Sequence, residues 1–432
     1  MAPRLNALLR PLLQSGSSRV ATGRLAAFAR PLAQRTYASD VSRDPFTGEL
    51  TSLPDINPKA LQYNQNHSPG TPPSSDKLTF GRVFTDHMLT IPWNSVKGWG
   101  KPVIGPYGPL ALDPSSTVFH YAFTLFEGMK AYRCDDGTVR LFRPDKNMAR
   151  MNTSAARIAL PQFDGEALTQ LIKRLVMIDS NWIPGEPGHS LYIRPTMIGT
   201  QAGLGVGPSS DALLFVICSP VGPYYPTGFK PVSLLATSHY TRAGPGGTGA
   251  YKLGANYAPG VVPQVEAAKS GYAQNLWLIG KEHYLTEVGT MNLFVVLDKP
   301  DGTWEIVTPP LEDIILPGVT RDSILSLLRD HAAGTITLPG LPSKIEVNER
   351  AISMGEIKQA KANDTLREIF GSGTAALVSP VDNIGYEGKD ISVPTGPEGL
   401  GQVAKSVLNK IVAIQMGKEP HKDWSVIASE GI

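Results

Sequence analysis

Apolar residues recur along the chain with two different periods. Leu168, Leu171, Ile172 and Leu175 return at intervals of three and four, the spacing of one helix face, and predict an amphipathic helix over 165–178. Ile324, Leu325 and Leu328, just after Gly318, predict a second helix, and Ala404, Val407, Leu408 and Ile411 a C-terminal one. Compact apolar runs at 190–200 and 213–220 read as buried strands, and 275–279, 292–297 and 304–307 as further strands. Asp135, Asp136 and Gly137 form a turn signal between strands predicted over 118–132 and 138–142. Pro300, Asp301 and Gly302 play the same part between 292–297 and 304–307.

The punctuation divides the chain. Residues 38–76 are rich in Pro, Asn, Ser and Asp and read as an arm over the surface, with core structure starting at about Leu78. The Gly/Pro-rich stretch 221–231 breaks the pattern again. The expected organisation is a small α/β domain at 77–222, a linker at 223–231 and a larger mixed α/β domain at 232–432. No repeat of 20–50 residues is present.

Composition narrows the class. At 41% hydrophobic and 18% charged, the 432 residues suit a globular enzyme, and no apolar run approaches the roughly 18 residues of a membrane span. The formal charge of +2 is unevenly spread. Residues 1–37 hold Arg4, Arg10, Arg19, Arg24, Arg30 and Arg35 and no acidic residue. The remainder therefore carries 34 basic against 38 acidic groups, a net of −4, which gives no electrostatic reason for nucleic-acid binding. An Arg-, Leu-, Ala- and Ser-rich, acid-free start has the composition of a mitochondrial transit peptide, with cleavage expected after Tyr37. Lysines, common in a merely basic tail, are missing from it. Cys134 and Cys218 are too few and too far apart for a disulfide framework or a zinc site.

Four segments carry candidate chemistry. Lys252 lies in GPGGTGAYKLGANY, among glycines that allow close backbone approach, and beside Tyr251 and Tyr257. A desolvated lysine becomes neutral and can condense with an aldehyde; the bland alternative is a solvated loop lysine. The segment lacks GxxxxGK[ST] spacing, which argues against nucleotide binding. In LTEVGTMNLF, Glu287 precedes an apolar strand. A carboxylate desolvated there needs a cation, either a protonated cofactor ring or a structural arginine. In ILPGVTRDSILSLL, Gly318, Val319 and Thr320 open a helix, whose free N–H groups form an anion site unless Thr320 simply caps it. GSGTAALVSP supplies a second Gly/Ser/Thr loop, and Arg150 could neutralise a phosphate or sit in a surface ion pair.

Taken together and in order, these segments resemble the class IV aminotransferases, and more narrowly the eukaryotic branched-chain amino acid aminotransferases. The likeness is carried by FGRVFTDHM, HYAFTLFEGMKAY, RLFRPDKNMARM, SLYIRP, YKLGANY, LTEVGTMN, LPGVTR and FGSGTAA, from about Phe80 to Val378. It implies a mixed α/β, two-domain type IV pyridoxal-phosphate fold of the D-amino acid aminotransferase kind, and pyridoxal 5'-phosphate as cofactor. Residue by residue, it implies that Lys252 is the Schiff-base lysine and proton carrier. Glu287 would face the pyridine nitrogen and Tyr257 the ring oxygen, with Arg150, Leu316, Val319, Thr320 and Thr374 also on the cofactor, mostly at its phosphate. Tyr121 and the Thr374–Ala375 backbone would clamp the substrate carboxylate. Phe80, Phe126, Tyr192, Tyr224 and Thr290 would wall the side-chain pocket, and Arg194 would hold the distal carboxylate of glutamate. Leu204 and Val206 would reach into the partner's site of a homodimer. The implied substrates are leucine, isoleucine and valine with 2-oxoglutarate, and their 2-oxo acids with glutamate. No metal, nucleic acid or membrane is implied. One departure stands out: animal members carry Cys-x-x-Cys after the clamp, where this chain has Ala376 and Ser379. D-amino acid aminotransferases and aminodeoxychorismate lyases share the fold but lack the FGRVFTDHM and HYAFTLFEGMKAY strings. A non-catalytic descendant would be expected to lose some of Lys252, Tyr257, Glu287 and Arg150, all of which are present.

Overall fold

A ten-stranded and a nine-stranded sheet set the architecture. The computed structural model describes residues 41–43, 50–223 and 230–431. The segment read as a transit peptide, and Tyr224, lie outside the described residues.

The first sheet is centred on an antiparallel pair, Ser190–Gly199 with Asp211–Val221, in register from Ser190 opposite Val221 to Gly199 opposite Ala212. Met129–Arg133 and Thr124–Phe126 both pair with Ser190–Gly199, and His87–Asn94 pairs with Asp211–Val221. The helices Pro144–Arg157 and Gly165–Ile178 contribute to the same hydrophobic core as this sheet. Leu168, Leu171, Ile172 and Leu175 are fully buried there, as their spacing predicts, each contributing about 1.5–3 kcal/mol. Asp164 starts the second helix by accepting the N–H groups of Glu166 and Ala167.

In the second sheet Val232–Thr237 runs parallel to both Gln274–Ile279 and Leu377–Tyr386. Met291–Asp298 lies between Leu366–Gly373 and Trp304–Thr308. The helices Val319–Ala332 and Gln402–Gln415 share a core with this sheet, built round the stacked rings of Phe294 and Phe370, whose centroids are 5.1 Å apart. The chain then returns to the first sheet, where Ser425–Ile427 pairs with Val139–Phe142.

Two sequence expectations need correction. The strand expected over 118–132 is a short helix, Thr117–Tyr121, followed by two strands that break at Glu127 and Gly128. The break has a cause: the Glu127 carboxylate turns inward to a buried partner, and a Cβ on Gly128 would stand 2.1 Å from the Tyr192 hydroxyl. The arm is also more than a surface strap. Ile56 is buried in the first core, and Gln62–Tyr63 adds a parallel strand beside Val103 and Ile104. Short polar-flanked runs such as these give too little periodicity to be recognised from sequence.

Candidate active site

The glycine-rich loop that carries Lys252 is fastened to the first sheet. Its backbone N–H donates to Ser154 Oγ at 2.9 Å, and its carbonyl accepts the N–H of Phe126 at 3.1 Å. Close approach needs small residues: a Cβ on Gly254 would meet Thr124 Cγ2 at 2.5 Å, and one on Gly249 would meet the Ile314 carbonyl oxygen at 2.1 Å. Nζ of Lys252 donates to the Tyr257 hydroxyl at 3.1 Å and lies 4.8 Å from the centroid of the Phe126 ring. Desolvation, reinforced by the nearby Arg150 charge, lowers the amine to about 8. A lysine so placed is half neutral at about pH 8, far below the range of a solvated loop lysine. Burial also pushes the Tyr257 hydroxyl up to about 12, so it stays protonated.

Arg150, on the helix Pro144–Arg157, is buried against Glu127. Nε donates to one carboxylate oxygen at 2.7 Å and Nη2 to the other at 2.8 Å. Asn147 Nδ2 and the Gly128 N–H complete the shell of Glu127. Burial alone would raise this carboxyl; the Arg150 charge and hydrogen bonds outweigh it and hold it below the usual range. Nη1 of Arg150 donates to the Pro317 carbonyl at 3.0 Å, next to the helix that starts at Val319.

Glu287 is the penultimate residue of the hairpin strand Tyr284–Val288 and sits opposite Asn292. Asn292 Nδ2 lies 3.3 Å from Oε1 and donates more closely, at 2.9 Å, to the Leu316 carbonyl. Arg242 Nε stands 2.6 Å from Oε2, so the structural arginine is present. Yet that oxygen is buried and accepts no well-directed hydrogen bond. Desolvation outweighs Arg242 and raises the carboxyl to about 7. Lys252, Tyr257 and Arg242 all act on it electrostatically or on one another, which places the amine, the phenol and the carboxyl in one site.

Val319 and Thr320 open the helix Val319–Ala332 without a side-chain cap, since Gly318 occupies that position. Thr320 does not cap the helix, and the dipole end and free N–H groups remain available to an anion. Val319, Thr320 and Thr374 line one small cavity with Asn147 and Lys130.

The remaining sequence-predicted residues divide into groups. Phe126, Tyr192 and Arg194 gather beside Lys252: the Arg194 guanidinium lies 4.7 Å from the Phe126 centroid, and its Nη2 donates to the Tyr192 hydroxyl at 3.0 Å. Phe80 meets Tyr192 edge-on. Thr290 lines a cavity of about 450 Å³ with Tyr257 and Arg242. Leu316 contributes its backbone to Glu287 and Asn292. The Tyr121 hydroxyl donates to the Leu204 carbonyl, and Leu204 and Val206 are both exposed. Cys134 and Cys218 are free and buried. Sequence reasoning missed Glu127, although a lone carboxylate inside the apolar run FTLFEGM was a signal, and gave no role to Lys130.

An amine held near neutrality, a buried carboxyl across a phenol, and an arginine beside an uncapped helix start define a site for a phosphorylated aldehyde cofactor. The chain belongs to the family described as Amino-transferase class IV, which matches residues 124–384. It is 54% identical to the mitochondrial branched-chain-amino-acid aminotransferase of Saccharomyces cerevisiae, over 84% of this chain and 91% of that protein. It is 51% identical to the cytosolic form of the same yeast, over 88% and 99%. A solved structure, the T.th. branched-chain amino acid aminotransferase with pyridoxamine 5'-phosphate, superposes with a TM-score of 0.59 at 25% identity, covering 78% of this chain and 98% of that one. No helix among the described residues is long and apolar enough to cross a membrane.

Proposed function

We propose that the protein is a branched-chain amino acid transaminase, a pyridoxal 5'-phosphate enzyme that exchanges amino groups between leucine, isoleucine or valine and 2-oxoglutarate. The observation that carries the reading is a lysine amine lowered to about 8 and bonded to Tyr257, near a buried carboxyl, Glu287, raised to about 7 although Arg242 Nε lies 2.6 Å from its Oε2. The residues fit the cofactor: Oε2 of Glu287 for a protonated ring nitrogen, Tyr257 for the ring oxygen, and Val319, Thr320, Thr374 and Arg150 for the phosphate. When bound, the cofactor supplies an aldehyde for the lysine and a ring that withdraws electrons from the substrate Cα.

The chain's own groups supply the rest. Nζ of Lys252 would hold the cofactor's aldehyde and, when free, could accept the substrate Cα proton and pass it on to the carbon that takes over the amino group. The Glu287 carboxyl, raised to about 7 on its own, would be held ionised by a protonated ring nitrogen bound beside it. The alternate use of an amino acid and a 2-oxo acid at one site gives ping-pong kinetics. Phe126, Tyr192 and Phe80 offer an apolar wall, while Arg194, whose Nε is buried without a partner, offers a donor to the distal carboxylate of glutamate. Residues 77–222 and 232–432 act as the two domains flanking the site, with 223–231 between them, apart from Ser425–Ile427, which pairs with Val139–Phe142 in the first sheet. The exposed Leu204 and Val206, with Tyr121 beside them, support a homodimer in which this patch completes the partner's site as the carboxylate clamp. The acid-free, arginine-rich start supports import into the mitochondrial matrix.

One apolar wall separates substrates differing by a methylene only weakly, so the three amino acids should turn over at similar rates. Purified holoenzyme is assayed with each of them and 2-oxoglutarate. No turnover, or a preference of several orders of magnitude for one, overturns the reading.

A further inference from the structure

The strand Met129–Arg133 carries a buried lysine for which the functions assigned above have no use. Lys130 is 9% exposed, and its Nζ donates to the carbonyl oxygen of Ala375 at 2.8 Å. An ammonium taken out of water is costly unless it meets a partner. Desolvation lowers the amine to about 8, and the Ala375 carbonyl is the partner its Nζ meets.

Ala375 is the middle residue of the turn 374–376, which joins Leu366–Gly373 to Leu377–Tyr386. Leu377 closes that turn in the left-handed region, at φ +58°, and the Val378 N–H donates to the Ala376 carbonyl. Among the described residues no hydrogen bond engages the N–H of Ala375 or Ala376. A trans peptide points its C=O and the following N–H in opposite directions. Fixing the Ala375 oxygen toward Lys130 therefore aims the Ala376 N–H the other way. Lys130 also lines the same small cavity as Thr320 and Thr374. It stands directly opposite Tyr192 in the first sheet, which puts the two side chains on one face. The ammonium thus ties a turn of the second sheet to the strand pair that carries Tyr192.

We propose that Lys130 is a positioning residue for the substrate carboxylate: it holds the Thr374–Ala375 turn with its N–H groups free, and places a positive charge behind them. The inference rests on the reading that this turn seats the carboxylate.

The test uses holoenzyme and two amines, leucine and 3-methylbutylamine, which is leucine without its carboxylate. Apparent affinity is read from the single-turnover loss of the cofactor's visible band. Lys130→Met is expected to weaken leucine about tenfold, the equivalent of one lost hydrogen bond to a charged group, and to leave 3-methylbutylamine and cofactor retention unchanged. Lys130→Gln keeps a donor for the Ala375 carbonyl and should recover part of the loss; it carries the same comparison if the methionine variant does not fold. Unchanged leucine affinity, or equal losses for both amines, overturns the assignment. Replacing the Ala376 amide nitrogen by an ester oxygen deletes the N–H that the fixed Ala375 carbonyl aims and tests the seat itself. If that change leaves the leucine-to-amine ratio unaltered, the turn is not the seat and both readings fall. If it shifts the ratio while Lys130→Met does not, only the role of Lys130 falls.

Discussion

Glu127 holds Arg150 by both carboxylate oxygens, at 2.7 and 2.8 Å, in a pair that is almost wholly buried. The remaining arm of the guanidinium reaches the Pro317 carbonyl, one residue from Gly318. Glu127 thus points Arg150 at the helix start where the phosphate is proposed to sit. Glu127→Gln removes the charge but keeps the shape. Breaking a buried pair from one side costs about 3 kcal/mol, because Arg150 stays buried and loses its counter-charge. We expect a lower melting temperature and a cofactor affinity reduced about tenfold or more, read by titrating apoprotein with pyridoxal phosphate. Unchanged affinity would show that Arg150 is oriented without Glu127.

Much of this site was legible in the chain, and the physical reason differs by residue. Helices with a clear apolar face, such as Gly165–Ile178, follow directly from spacing. Lys252, Glu287 and the Gly318–Thr320 helix start could be singled out because each combines a functional group with an unusual backbone setting. What spacing does not contain is which buried charge meets which. The Glu127–Arg150 pair joins positions 23 residues apart, and the Lys130–Ala375 bond positions 245 apart. The break of the strand at Glu127 follows from that tertiary pairing, so local apolar runs could only suggest one continuous strand.

The lowered amine of Lys252 gives cofactor loading a pH dependence. The neutral amine is the nucleophile, and the group loses its proton as pH rises through about 8. The rate at which apoprotein gains the visible absorbance of lysine-bound cofactor should therefore climb from pH 6 to about 8 and level off above. Lys252→Ala should show neither the absorbance nor transamination at any pH. A loading rate that still climbs tenfold per pH unit at pH 9 would mean that the amine is not depressed.

Gly318 is required by more than its helix-capping geometry. A Cβ there would stand 2.0 Å from Asn292 Oδ1. Asn292 is tied to the Leu316 carbonyl and lies beside Glu287, so it cannot move without disturbing both. Gly318→Ala should cost about 1–3 kcal/mol, as overpacking of a fitted interior does. It should also weaken the cofactor, because the phosphate end and the Glu287 end are displaced together. Thermal melting with and without pyridoxal phosphate checks both effects; a variant with wild-type melting in both conditions would contradict the contact.

Glu368 offers a stability test away from the site. It is buried beneath the helix Gln402–Gln415, where Oε1 accepts the Val403 N–H at 2.7 Å and Oε2 is unpartnered. Burial raises this carboxyl from 4.5 to about 7, against the pull of the Val403 and Ala404 N–H groups. Between these values the folded state binds more protons than the unfolded chain, so stability falls as pH rises through the window and stays low above it. The shift corresponds to about 3 kcal/mol. Glu368→Gln retains an oxygen for the Val403 N–H and removes the charge. The variant should match the wild type near pH 4.5, where both are uncharged in the fold, and exceed it in stability at pH 8. Urea unfolding of the two proteins across this range measures the difference. Parallel curves would mean that the carboxyl ionises at its ordinary value, and a less stable variant at pH 8 would mean that the helix start depends on a full negative charge.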